Sequence, residues 1–321
     1  MLFQSFNDMD EFPSKIESYL ATLIPAEPRS LYDPARAALS SGGKRVRPML
    51  TALAAGNSSE TAWLPAAAAV ELLHAFTLVH DDIMDNAESR RGRPAIHIAF
   101  GLNAAILSGD VIVALATGAL AQSPKAGEML AEFSAGFRAV CEGQAMDKDF
   151  EERDDVIMDE YLTMIELKTA RIFELAAALG AIAAGGTNLE PLRRFAREIG
   201  IAFQLQDDLL DLTGGESFGK TIGGDIIEGK RTALFVLAMQ DYHALEGENR
   251  ALLDRIRECC ATHDDVQLAR ELFERIGVLE ETARLAVKHT QNAERQLESL
   301  PNARQREGLL EFSKRLLGRS V

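Results

Sequence analysis

Cysteine is nearly missing from this chain of 321 residues, which has three, at positions 141, 259 and 260. Their spacing fits no metal-binding pattern, and adjacent cysteines are poorly placed to bridge, so neither a thiolate metal centre nor a disulfide framework is expected. A reducing compartment fits that usage. Positive charge is also short: 34 Lys and Arg against 49 Asp and Glu give a formal charge of -15. Nucleic-acid surfaces need clustered cations, so no nucleic-acid partner is expected, and an anionic ligand must be held by local basic groups or bound metal ions. The apolar stretches 64–80 and 111–121 read as too short, or too interrupted by Glu71, His74 and His80, to form a transmembrane segment. The opening residues MLFQSFNDMDEF are acidic and polar rather than basic and apolar, which predicts a cytoplasmic protein without an export leader.

Alternating strand patterns and Ser/Pro linkers are lacking as well. In their place, apolar residues recur at three and four spacing, as in IGIAFQLQDDLLDL and LARELFERIGVLEETARLAV, and the composition is rich in alanine and poor in aromatics, at 6%. The expected fold is all-α, one domain over residues 1–321, long enough to bury a full core. Breaks are expected at SGGKRVRP (41–48), RRGRP (90–94), AGGTNLEP (184–191) and the loop from Gly214 to Lys230. One arrangement occurs twice: an apolar helix running into DDxxD, followed by a basic segment containing glycine.

The first DDxxD is Asp81, Asp82 and Asp85, and the second is Asp207, Asp208 and Asp211. On a helix these positions lie within roughly 100° of one another. Such carboxylates repel unless a cation compensates, and both sets come near the end of a helical run, one starting near Pro65 and one near Pro191, where the helix dipole disfavours negative charge. A single acidic helix end is ordinary solvated surface. Two copies, each with apolar residues between the aspartates, point instead to metal. Oxygen donors without convergent His or Cys suit Mg²⁺, which completes its shell with phosphate oxygens and water. Two such clusters would clamp a diphosphate.

Two competing motifs fail. Glu71 and His74 have the E-x-x-H spacing of a di-iron bundle, but none of the other five histidines has a glutamate three positions earlier. Residues 214–221 match the nucleotide phosphate loop letter for letter. A true loop of that kind follows a strand and opens a helix, whereas here a helix precedes it, IGGD is a poor helix start, and Glu216 would put negative charge in the phosphate cradle.

The basic residues gather beside glycines and aspartates: Lys44, Arg45 and Arg47 in SGGKRVRP, Arg90, Arg91 and Arg93 in ESRRGRP, Lys168 beside Thr169 in ELKTARIF, and Lys220 and Lys230 around the late loop. Taken singly, each is an ordinary surface charge. Together in an acidic chain they read as the lining of one anionic site.

With GGKRVRP, ELLHAFTLVHDDIMD, RRGRP, EGQAMDKDFE, ELKTARIFELA, GIAFQLQDDLLD and GKTIGGDIIEGKRTAL in this order, the chain resembles the trans-isoprenyl diphosphate synthases over most of its length. The resemblance implies a single large helical bundle around a deep central cavity, normally a homodimer. It implies Mg²⁺, as three ions, with Mn²⁺ as a substitute, bound by Asp81, Asp85 and Asp207, with Asp82, Asp208 and Asp211 completing the clusters. Arg90, Lys168, Thr169, Gln204, Lys220 and Lys230 would contact the allylic diphosphate, and Lys44, Arg47, His74 and Arg91 would hold isopentenyl diphosphate. The implied reaction is ionisation of the allylic substrate, capture of the cation by isopentenyl diphosphate and loss of a proton, with Asp81, Asp82, Asp85, Lys168, Asp207 and Lys230 as the catalytic group.

Phe76 lies five positions before Asp81, about 7.5 Å along a helix, where related synthases carry an aromatic that limits chain length. With the small Thr77 beside it, geranylgeranyl diphosphate is the expected product, ahead of farnesyl or a longer-chain diphosphate. A terpene cyclase would carry a different second metal motif, and a non-catalytic partner subunit need not keep both aspartate sets.

Overall fold

Helical periodicity is realised nearly everywhere. The computed structural model describes residues 7–40, 42–187, 189–214 and 222–318. In chain order come α1 (Asn7–Leu23), α2 (Arg29–Leu39), α3 (Val46–Ala54), α4 (Glu60–Met84), a hairpin of β1 (Ser89–Arg90) and β2 (Arg93–Pro94), α5 (Ile96–Phe100), α6 (Leu102–Ala121), α7 (Ala126–Glu151) and α8 (Met158–Ile165). A π-helical turn, Glu166–Ala170, leads into α9 (Arg171–Ala183). There follow α10 (Glu190–Thr213), α11 (Gly224–Ile227), α12 (Ala233–Gln240), α13 (Glu248–Arg257), α14 (His263–Arg275), α15 (Val278–Leu297) and α16 (Ala303–Leu317). Among the described residues the hairpin is the only sheet. It occupies the RRGRP break because Arg91 and Gly92 both have positive φ, 52° and 73°, the conformation that two-residue hairpin loops demand.

The chain groups into two compact units, each drawn from three separated stretches, so no single composition shift marks a boundary. One comprises Met1–Phe137, Ile172–Ala196 and Gln296–Phe312. Its centre is α4, where Trp63, Leu72, Leu73 and the run Ala66 to Val70 are buried. Alanine permits this because it favours helix and adds little bulk, so neighbours approach an all-apolar helix closely. Phe12 of α1 stacks on Trp63 with ring centroids 5.7 Å apart. In the same unit Gln305 of α16 donates to the Ala54 and Leu53 carbonyls at 2.7 and 3.2 Å, closing the C-terminal end of α3.

The other unit comprises Arg138–Arg171, Arg197–Arg295 and Ser313–Val321. One apolar cluster gathers Leu209, Leu212, Leu234, Phe235, Leu253 and Phe273. A second gathers Phe150, Tyr161, Ile165, Leu205 and Val236.

Three expectations are corrected. α4 starts at Glu60 rather than near Pro65, which lies inside its second turn; a proline this early in a helix displaces few hydrogen bonds. IGGD does start a helix, the single turn α11, with Gly223 left-handed at φ 75° before it. By length and composition α4 and α6 could each cross a membrane. The stretch 64–80 lies with its polar residues inside the longer α4, and 111–121 is only the second half of α6, so it is the length that is corrected. In α4 61% of that window is buried, the mark of a core helix, against 39% in α6.

Candidate active site

The last turn of α4 carries Asp81 and Asp82, Asp85 closes the helix, and no basic residue stands in that turn. Positions four apart are about 40° apart around the axis, so Asp81 and Asp85 share a line, while Asp82 is turned by about 100° from Asp81. That rotation separates their environments. Asp81 and Asp85 are half-buried, but Asp82 is buried, and its Oδ1 accepts from Arg90 Nε at 2.7 Å and Nη2 at 2.6 Å. The hairpin thus fastens Arg90 to the aspartate motif.

In the same unit Arg47 Nη1 lies 3.2 Å from His74 Nε2, and the Arg47 guanidinium stands 4.9 Å over the Phe173 ring. A guanidinium only donates, so Nε2 accepts and the His74 proton sits on Nδ1. Burial, then the charges of Arg47, Arg91, Arg90 and Arg45, hold His74 well below the usual histidine range. Arg91 donates to the Gly42 carbonyl, bringing the hairpin loop to the glycine loop, where Lys44 is exposed. Arg45 takes a different part from its neighbours. It is buried, pairs with Glu71, and donates to the Leu39 carbonyl at 2.7 Å. The two members of the E-x-x-H pattern therefore turn to two different arginines.

Five residues before Asp81, Phe76 is half-buried within an aromatic group. Its ring meets His80 at 4.3 Å and Phe137 at 5.1 Å, both edge to face, and Phe133 follows at 6.4 Å from Phe137. The Thr77 hydroxyl is tied to the His74 carbonyl at 2.8 Å. Phe137 had no signal in the sequence.

In the second unit α7 presses on the π-turn. A Cβ at Gly143 would lie 2.3 Å from Lys168 N, so only glycine allows this approach. One helical turn on, Asp147 accepts from Lys168 Nζ at 2.6 Å. Next to Lys168, the Thr169 hydroxyl donates to Gln204 Oε1 at 2.9 Å, and Gln204 Nε2 donates to Asp208 Oδ1 at 3.0 Å. Asp208 Oδ2 accepts from the Tyr161 hydroxyl and from Ala233 N at 2.9 Å. Burial pushes the Asp208 carboxyl up to about 6 even though these hydrogen bonds pull the other way. Asp207 and Asp211 are half-buried. Asp211 Oδ2 accepts from Asp225 N at 3.1 Å, and its carbonyl accepts from Gly223 N at 2.7 Å. Lys230 pairs with Glu228 at 2.7 Å and stands 3.9 Å from Asp225. Lys220, with residues 215–221 of the phosphate-loop match, lies outside the described residues.

Among the described residues no three His, Cys, Asp or Glu side chains converge on a point. Sequence reasoning missed Asp147, which sits in the quoted run EGQAMDKDFE, and Tyr161, which reads as one more core residue of YLTMI. It also missed Arg231. This buried side chain donates to the Gly229 carbonyl at 2.6 Å, Glu151 at 3.2 Å and Arg257 at 3.3 Å, fixing the backbone beside Lys230.

Comparison with known proteins assigns a family. The polyprenyl synthetase family model matches residues 28–274. The chain is 39% identical to the short chain isoprenyl diphosphate synthase of Methanothermobacter thermautotrophicus, covering 88% of each chain. It is 34% identical to the geranylgeranyl diphosphate synthase of Methanosarcina mazei over 99% of each. Among solved structures, the geranylgeranyl pyrophosphate synthetase of Pyrococcus horikoshii superposes with a TM-score of 0.88 at 34% identity, covering 98% of both chains. A polyprenyl synthase of Caulobacter crescentus, complexed with calcium and isoprenyl diphosphate, gives 0.86 at 31% identity over 99% and 98%.

Proposed function

Since the chain belongs to the polyprenyl synthetase family, we propose that it joins isopentenyl diphosphate to allylic diphosphates head to tail and releases geranylgeranyl diphosphate, with farnesyl diphosphate as the shorter alternative. It is a trans-prenyltransferase of the short-chain type. The observation that carries this reading is the repeated ending of α4 and α10 in carboxylates, each set followed by a basic, glycine-containing segment.

Asp81, Asp85 and Asp207 are the proposed holders of Mg²⁺, with Asp211 beside Asp207. The fit rests on their oxygen-only chemistry, their half-burial and their place at helix ends that disfavour unbalanced negative charge. Bound Mg²⁺ would neutralise the leaving diphosphate as the allylic carbon–oxygen bond ionises. Lys168, Thr169, Gln204, Lys230 and Arg90 would orient that diphosphate and add positive charge where negative charge develops. Lys44, Arg47, Arg91 and His74 would hold isopentenyl diphosphate; a neutral His74 accepting from Arg47 Nη1 would keep that guanidinium oriented for a phosphate. The double bond of isopentenyl diphosphate then attacks the allylic cation, and the proton lost restores a double bond. No side-chain base is assigned to that step.

A cytoplasmic homodimer completes the reading. Its proposed contact is the apolar surface of α5 and α6, where Ile98, Phe100, Leu102 and Leu107 are each 44–56% exposed.

Incubating purified protein with isopentenyl diphosphate, allylic starters and Mg²⁺ should yield a twenty-carbon prenyl diphosphate. Hydrocarbon release would mark a cyclase. An absence of turnover would mark a non-catalytic subunit.

A further inference from the structure

The second aspartate of the motif on α10 is enclosed by hydrogen-bond donors. Asp208 is 3% exposed, and its oxygens accept from Tyr161, Gln204 and the Ala233 amide. These donors come from different segments: α8, α10 itself and the start of α12. Gln204 extends the network to Thr169 on the π-turn. One buried carboxylate therefore ties together the backbone that bears Lys168 and Thr169, the helix that bears Asp207, and the segment that follows Lys230.

We propose that Tyr161 is a positioning residue for the allylic-diphosphate subsite, acting through Asp208, and that Asp208 is a structural clamp rather than a metal ligand. The inference rests on the functional reading above. A buried carboxylate must be hydrogen-bonded to be tolerated. Here the tyrosine hydroxyl is the donor that a single atom change removes, because its ring lies in the apolar cluster with Ile165, Leu205 and Val236. A helix turns by about 100° per residue, so Asp208 reaches these donors while Asp207 points elsewhere. Moving Asp208 moves Asp207, Thr169 and the Lys230 segment together. None of these partners belongs to the isopentenyl subsite.

Tyr161→Phe keeps the ring and removes the donor. The expected result is a rise of about tenfold in KM for the allylic substrate, an isopentenyl diphosphate KM within about twofold of wild type, and a metal-free melting temperature lower by about 2–4 °C. Asp208→Asn separates clamp from ligand. An asparagine oxygen still accepts from Tyr161 and Ala233 N, and its amide nitrogen can donate to Gln204 once that amide turns its oxygen toward it, so this variant should keep kcat within about tenfold of wild type, whereas Asp207→Asn should lose about a thousandfold. Calorimetric titration with a non-ionisable allylic thiodiphosphate should show the same weakening for Tyr161→Phe without turnover.

Equal rises in both KM values, a Tyr161→Phe variant that matches wild type, or an Asp208→Asn variant as inactive as Asp207→Asn would each overturn the proposal. A wild-type protein that condenses no prenyl diphosphates would instead overturn the functional reading. The metal-free melts of Tyr161→Phe and Asp208→Asn would then still test the clamp, since it needs no substrate.

Discussion

At the scale of single residues, the pattern DDxxD treats its aspartates alike and the structure does not. Asp82 and Asp208 are buried among protein donors, whereas Asp81, Asp85, Asp207 and Asp211 are half-buried. The helical repeat makes this division predictable from positions alone, but the donors are not, because Tyr161 and Ala233 lie 47 and 25 residues from Asp208. His74 has a consequence for pH. Unfolded chains bind its proton near pH 6.5, while the fold, through burial and the neighbouring arginines, resists it. As pH falls below about 6.5 the unfolded state takes up more protons, so stability present at neutral pH is lost, at no more than about 1.4 kcal/mol per pH unit for one group. Replacing His74 by Gln should flatten the decline in melting temperature from pH 7.5 to 5.5, and an unchanged slope would contradict the shift. Phe76 bears on product length. A half-buried ring set edge to face against Phe137 suits a floor better than a sealed core, so Phe76→Ala should release longer prenyl chains, with a smaller shift for Phe137→Ala. Chromatography of the dephosphorylated products decides, and an unaltered product from both variants would remove the aromatic group from length control.

At the scale of elements, apolar spacing in the sequence was enough to give helices, and the acidic ends of α4 and α10 were legible because aspartates before a break have no other pattern to join. The hairpin at RRGRP was legible only as a break. Its left-handed Arg91 is a choice that tertiary contact with Gly42 supports and that no propensity favours. The π-turn at ELKTA was invisible, since residues in a π-helix carry no distinct spacing. Its cause lies partly in Gly143, on another helix. A methyl group there would strike the backbone at Lys168, so Gly143→Ala should cost about 1–3 kcal/mol, as overpacking does, and should weaken use of the allylic substrate. A melt and a titration of initial rate against that substrate check both effects. Normal kinetics in a destabilised variant would show that the π-turn yields without disturbing the site.

At the scale of the whole molecule, family and fold class could be read from the order of motifs, while the two compact units could not. Each unit collects stretches separated by long intervals of sequence, and local patterns are blind to such grouping. The apolar exposure of α5 and α6 was not legible: the stretch 111–121 is rich in Ala, Val and Leu without charge, but the exposed Ile98, Phe100, Leu102 and Leu107 lie before it. Whether that richness meant core, membrane or partner depended on exposure. If a second copy covers it, Leu107→Glu should convert dimers to monomers in sedimentation experiments at micromolar concentration. A wild-type chain that sediments as a monomer would dispose of the interface.

The hydrogen bonds from Gln305 to the end of α3 set a timetable for synthesis. A ribosome adds roughly 5–20 residues per second. Gln305 follows Ala54 by 251 positions, which take on the order of 12–50 s to emerge, and through that interval the Ala54 carbonyl lacks its side-chain donor while the Leu53 carbonyl keeps only the Gly56 amide. The N-terminal region must wait for the tail of its own polypeptide. A nascent chain stalled before residue 303 should remain open to proteases and chaperones along α3, and releasing the last segment should close it.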